Sequence, residues 1–248
     1  MSEHARLQYA SIFSFVSILC FVILLAMRPF PYPDNNLDGH AYLSYLLPRY
    51  AAEWQTILAT ISSGSLMMFV SLLALAYIDR AGRLTLATLV MIGTSAGYLA
   101  IQSVAVGLYM TAALLARGYP AFGNDAIDYK LVTLLWNAAN LTWAVGACFP
   151  GMAWLAIASA NRNDKLLPGS LGGAMAIVVA IVNFASLFSV FVPTGRYSPG
   201  SAYQLLLQGG SIWLWSTVVS LWFWRHAYRG NRVREGSDTK TKSCSSHP

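Results

Sequence analysis

Residues 55–78 read QTILATISSGSLMMFVSLLALAYI, twenty-four positions without an Asp, Glu, Lys, Arg or His. The run stops at Asp79-Arg80-Ala81-Gly82-Arg83, and a second apolar stretch follows at once. Crossing a hydrocarbon core about 30 Å thick takes about 20 helical residues, and a charge at its centre costs at least about 2.5 kcal/mol. A segment this long and this free of charge, closed by a short charged turn, reads as a membrane span. It is helical and not part of a barrel, because its apolar residues are continuous and do not alternate with a period of two.

Working outward, five more stretches share these properties, near 7–27, 84–110, 131–160, 166–192 and 204–224. The expected fold is therefore all-α, a polytopic transmembrane bundle of six helices within residues 1–225, followed by a disordered basic cytoplasmic tail over 226–248. Composition points the same way. The 248 residues are 56 % hydrophobic and only 10 % charged, with a mean hydropathy of +0.51. A soluble domain carries about 25 % charge, and disorder requires low hydrophobicity with high net charge. Both classes are excluded.

Loop charges set the expected orientation. With the N-terminus inside, the inner segments hold eleven basic residues, Arg6, Arg80, Arg83, Arg162, Lys165, Arg225, Arg229, Arg232, Arg234, Lys240 and Lys242. The outer segments hold five, Arg28, Arg49, Arg117, Lys130 and Arg196, while acidic residues divide equally. The positive-inside rule then predicts a multi-pass protein of the cell membrane with both termini cytoplasmic. The first span reads as a retained signal anchor. Its apolar core exceeds a signal h-region, and Met27-Arg28-Pro29 offers no small-residue cleavage site.

The spans lack the residues that membrane chemistry uses. All four histidines, His4, His40, His226 and His247, lie outside the spans or at their margins, so no pair is expected to ligate a haem. There is no H-E-x-x-H and no C-x-x-C. Ser62-Ser63-Gly64-Ser65 has hydroxyls but no base in any span to activate them, and reads as close helix packing. Asp34, Asp38 and His40 read as ordinary residues of a long outer loop. No catalytic residue, metal site or cofactor is expected. Gly93/Gly97 and Gly169/Gly173 form G-x-x-x-G patterns that read as internal packing. Phe149-Pro150-Gly151 predicts a kink in the fourth span.

The amides form the one pattern suggestive of a site. Gln102, Asn137, Asn140 and Asn183 all fall in the expected outer halves of their spans, whereas the inner halves keep only small and hydroxylated residues. Asn137 and Asn140 are i, i+3 neighbours, with Trp136 and Trp143 beside them. These six residues form the candidate pocket, an outward-facing cavity for a small or amphipathic ligand. The plainer reading is helix-to-helix hydrogen bonding, worth about 0.6 kcal/mol per amide.

Phe149-Pro150-Gly151-Met152, Leu166-Leu167-Pro168-Gly169, Tyr197-Ser198-Pro199-Gly200 and the finish Trp213-Leu214-Trp215 to Trp222-Phe223-Trp224-Arg225 resemble a bacterial family of six-helix integral membrane proteins of unknown function, over roughly the last hundred residues. The resemblance implies six spans and no activity. The expected function is thus a non-enzymatic membrane module that binds a lipid, a small lipophilic ligand or a partner membrane protein. The alternative is a small secondary permease for a neutral solute. Expected partners are membrane lipids and another membrane protein or a second copy of the chain, with no nucleic acid.

Overall fold

The structure is a computed structural model and describes residues 3–27, 52–116, 129–192, 199 and 206–226. The tail beyond 226 and most of the expected outer loops, with Asp34, Asp38, His40 and Cys244, lie outside the described residues. Seven helices are labelled in chain order: α1 (Glu3–Ala26), α2 (Ala52–Ala81), α3 (Leu86–Ala116), α4 (Tyr129–Gly146), α5 (Cys148–Asp164), α6 (Ala176–Ser186) and α7 (211–226). A π turn, Gly169–Met175, opens α6 and a 3₁₀ turn, Leu187–Phe191, closes it, while the π turn Leu206–Gly210 leads into α7. Among the described residues there is no strand. Five segments are long and apolar enough to cross a membrane: Ala5–Ala26, Glu53–Ala81, Leu86–Ala116, Lys130–Asp164 and Gly169–Phe191. The region of the sixth expected span holds the π turn and α7.

Local chemistry sets the boundaries. Gly82, at φ +64°, turns the chain after α2, a conformation that favours glycine. Thr85 and Thr88 then cap α3 reciprocally. Thr88 N–H donates to Thr85 Oγ1 at 3.3 Å and Thr85 N–H to Thr88 Oγ1 at 3.0 Å, satisfying two donors that a helix start leaves free. Near the kink expected in the fourth span, the helix is interrupted at Ala147, between α4 and α5. Ala147 N–H reaches back three residues, to Ala144 O at 3.1 Å, and the four-residue spacing resumes with Gly151 N–H to Ala147 O at 3.1 Å. Between them Pro150 has no N–H to offer.

Two expectations are corrected. The spans expected near 131–160 and 166–192 leave Asn161-Arg162-Asn163-Asp164-Lys165 between them as a short inner loop, but α5 continues through Asp164, and Lys165, at φ 48°, ends it in the left-handed region. Asn161 is accordingly a buried helical residue at the end that also holds Arg162 and Lys165, so the buried amides are not confined to the expected outer halves. The G-x-x-x-G patterns are also only partly packing motifs. A Cβ at Gly97 would overlap the Phe149 ring, but one at Gly93, Gly169 or Gly173 would meet nothing within 4 Å. The glycine packed closely near Gly173 is Gly172, whose Cβ would overlap Asn161.

The core is centred on Trp215 of α7. Its ring meets Trp154 of α5 edge-on at 5.4 Å and Phe69 of α2 at 6.2 Å. Its indole N–H donates to Leu171 O, 2.8 Å away in the π turn. Leu66, Val70, Leu73, Met91 and Ile157 surround this group. The surface is inverted relative to that of a water-soluble bundle. On α1, Ser11, Ser14 and Ser17 are 0 % exposed, while Leu19 is 61 % and Val22 54 % exposed. A surface helix in water turns its apolar stripe inward; α1 turns it out. Phe188, Leu134, Leu214 and Ile181 add to the same exposed apolar belt.

Both ends of the described chain lie at one end of the bundle. Glu3 and Leu7 of α1, Arg80 of α2, Leu166, and Trp222 and His226 of α7 line a single small cavity there. Arg6 pairs with Asp79, and Arg80 approaches Glu3 at 3.9 Å. Arg162 and Lys165 lie at the end of α5 just before Leu166, so this is the basic end.

Candidate functional site

Two contacts set the register of α3 against α4. Ile101 lies at Gly146, where an added Cβ would come within 3.0 Å of its side chain. Nearer the end of α3, the Tyr109 hydroxyl donates to Asn140 Oδ1, and the Tyr109 ring meets Trp136 edge-on at 4.8 Å and 69°. In sequence, Gln102 of α3 and Trp143 of α4 fall between these contacts. Of the six candidate residues, Asn140 and Trp136 thus meet at Tyr109, while Gln102 and Trp143 are buried at neighbouring positions of the same two helices. The other two lie elsewhere. Asn137 is exposed on α4. Asn183, fully buried on α6, donates to Val179 O at 2.8 Å and approaches Ser211 Oγ at 3.5 Å on the side facing α7.

The polar atoms on this seam are incompletely matched. Gln102 is 3 % exposed, and among the described residues neither its Oε1 nor its Nε2 has a hydrogen-bond partner. Tyr98, one turn earlier on α3, brings its hydroxyl toward Gln102 and Ser63 without completing a bond to the amide. Asn140 uses its Oδ1 for Tyr109 but leaves Nδ2 without a partner there. A buried donor or acceptor left unmatched costs about 1–3 kcal/mol. The seam therefore has spare hydrogen-bonding capacity where helix packing alone gains nothing from it.

A second set of polar groups crosses the bundle, and of its members only Ser62 carries a packing role in the sequence reading. Trp213 Nε1–H donates to Ser17 Oγ at 2.8 Å; Ser17 donates to Ser62 O at 2.7 Å, and Ser62 returns a bond to Ser17 O at 2.8 Å. Phe21 stacks on the Trp213 ring at 3.7 Å. This belt is fully bonded and ties α7, α1 and α2 together. Its signal lay in Ser11, Ser14 and Ser17, which share one helical face at steps of three. It confirms the packing role of Ser62.

The basic end holds a third constellation, also missed. Tyr77 Oη donates to Asn161 Oδ1 at 2.9 Å, Leu167 N–H donates to the same oxygen at 2.7 Å, and Asn161 Nδ2 donates to Leu167 O at 3.1 Å. Asn161 thus closes the α5–α6 turn upon itself and upon α2, and both its amide atoms are engaged. Among the described residues, no His, Cys, Asp or Glu cluster could hold a metal ion.

The fold and these sites define a class, a helical bundle with an oily exterior and a hydrogen-bonding interior. Compared with protein-family models, curated proteins and solved structures, the chain matches none.

Proposed function

We propose that the chain is an integral membrane protein of six spans with both termini cytoplasmic, a non-enzymatic module that binds a small neutral amphipathic ligand at the outer part of the α3–α4 seam. The membrane setting is supported by the inverted α1, whose serines face in while Leu19 and Val22 face out. The basic end, where α1 starts and α7 finishes, is then the cytoplasmic one by the excess of Arg and Lys. The likeness of the last hundred residues to a bacterial six-helix membrane family is kept as part of this proposal.

The observation that carries the binding reading is Gln102. In lipid an unmatched amide has no water to turn to, and here both its atoms are buried without a partner among the described residues. A ligand with a hydroxyl or carbonyl group entering beside Trp143 and Asn140 supplies what the helices do not. The permease reading is less well supported. A route across the membrane needs free polar groups toward the cytoplasmic side as well, and Asn161, the buried amide there, is occupied by Tyr77 and Leu167.

Native mass spectrometry of protein released from gentle detergent tests the binding reading. A neutral small-molecule or lipid adduct on the wild type, absent from Gln102→Leu, is the expected result. Identical spectra for the two, with Gln102→Leu only gaining stability, contradict it.

A further inference from the structure

We propose that the groove between the end of α5 and the π turn opening α6 binds an anionic phospholipid of the cytoplasmic leaflet, with its phosphate at Arg162 and Lys165. The proposal rests on the membrane reading above, but it concerns the opposite end of the bundle from Gln102 and a different ligand chemistry.

The groove has a volume of about 800 Å³, within the range of small-molecule sites. Its rim carries the exposed Arg162 and Lys165, and its floor includes Ala158, Gly169, Gly173 and Ile177. Two features open it. The left-handed turn at Lys165 stops α5 and brings its side chain to the same rim as that of Arg162. Gly169 and Gly173 then leave the α6 side bare, since a Cβ at either would meet nothing within 4 Å. These glycines therefore serve the groove and not a helix contact within the described chain.

The dimensions and charge suit one occupant. Ile177 lies eight residues beyond Gly169, about 12 Å along a helix, so the groove runs from the charged rim into the depth of the first acyl carbons. Asp164 lies between the two cations in sequence but does not line the groove. A phosphodiester at the rim meets both positive charges, and the chain below it meets small and apolar side chains beside Asn161, whose amide is already engaged by Tyr77 and Leu167. Each Arg or Lys near an anionic leaflet contributes about 1 kcal/mol, or about fivefold in retention. A second copy of the protein fits less well. A two-fold contact places the same patch on both partners, which here sets Arg162 and Lys165 against their own copies, and like charges across an interface repel.

The experiment reconstitutes the full chain in nanodiscs of phosphatidylcholine alone or of an equal mixture with phosphatidylglycerol, then counts retained lipid by native mass spectrometry. The wild type is expected to keep phosphatidylglycerol over phosphatidylcholine. Arg162→Gln/Lys165→Gln is expected to weaken that preference about fivefold per charge removed, while melting as the wild type does in phosphatidylcholine. Gly173→Leu keeps both charges and fills the floor, and it too should lose the lipid. Equal retention by the wild type and both variants overturns the proposal. So does displacement of the lipid by free glycerol phosphate, or a dimer that Gly173→Leu dissociates without changing lipid retention. Release of the wild-type chain from vesicles by alkaline carbonate instead overturns the membrane reading itself, which separates the two failures.

Discussion

Tyr77 and Asn161 are joined across the basic end of the bundle by a 2.9 Å hydrogen bond between buried side chains. Eighty-four residues separate them in sequence, so the bond closes α2 onto α5 and, through Leu167, onto the turn into α6. Asn161 has its role because Gly172 leaves room for it: any side chain at 172 would displace the amide.

Asn161→Leu removes the partner of the Tyr77 hydroxyl and of both Leu167 backbone groups at once. The expected loss is about 3 kcal/mol, since buried groups left unmatched cost about 1–3 kcal/mol each. Tyr77→Phe should cost only about 1 kcal/mol, because Asn161 keeps its bonds to Leu167. Denaturant melts in detergent rank the two; a Tyr77→Phe variant as unstable as Asn161→Leu would show that the turn contributes nothing.

The two glycines of the α3 motif should behave in opposite ways. Gly97→Ala forces its methyl into the Phe149 ring and is expected to destabilise by about 1–3 kcal/mol. Gly93→Ala has open space and gains helix propensity of up to about 1 kcal/mol. Thermal melts of the two single variants decide it. Equal losses at both positions would point to a contact at Gly93 that the isolated chain does not show.

This pair shows what the sequence can and cannot reveal. Five of the six expected apolar helices were legible because length and the absence of charge are one-dimensional properties, and the break near Pro150 was legible because Pro150 lacks an N–H wherever it sits. Which of two glycines in a G-x-x-x-G meets another helix depends on the rotation of the helix about its axis, which spacing alone leaves free. Asn161 falls outside the expected span 131–160 for a related reason: Arg162, Asp164 and Lys165 make its neighbourhood look like a loop, although a helix end can carry charges on one side and a buried amide on the other. In the candidate pocket, Asn140 and Asn137 are three residues apart on α4, yet one is buried at Tyr109 and the other exposed. The serine–tryptophan belt escaped notice because its members come from three distant segments, 17, 62 and 213.

That belt makes its own prediction. Trp213→Phe preserves an aromatic ring against Phe21 but loses the donor to Ser17, and Ser17→Ala leaves the indole N–H unmatched. Each single variant is expected to lose about 1–2 kcal/mol, and the double variant less than the sum, by a coupling of at least about 0.5 kcal/mol. A double-mutant cycle of unfolding free energies measures this. Strict additivity would mean that the bond does not contribute.

The most direct test of the account concerns the sides of the membrane and uses the chain's own thiols. With Cys20 and Cys148 replaced by Ala, Cys244 in the tail is the one thiol left, and a membrane-impermeant maleimide should leave it unlabelled in intact cells and label it once the cells are opened. A companion variant without Cys244 but with Ser198→Cys, in the segment between the fifth and sixth spans, should label in intact cells. Labelling of Cys244 from outside, or protection of position 198, would contradict a six-span bundle whose two ends share the cytoplasmic face.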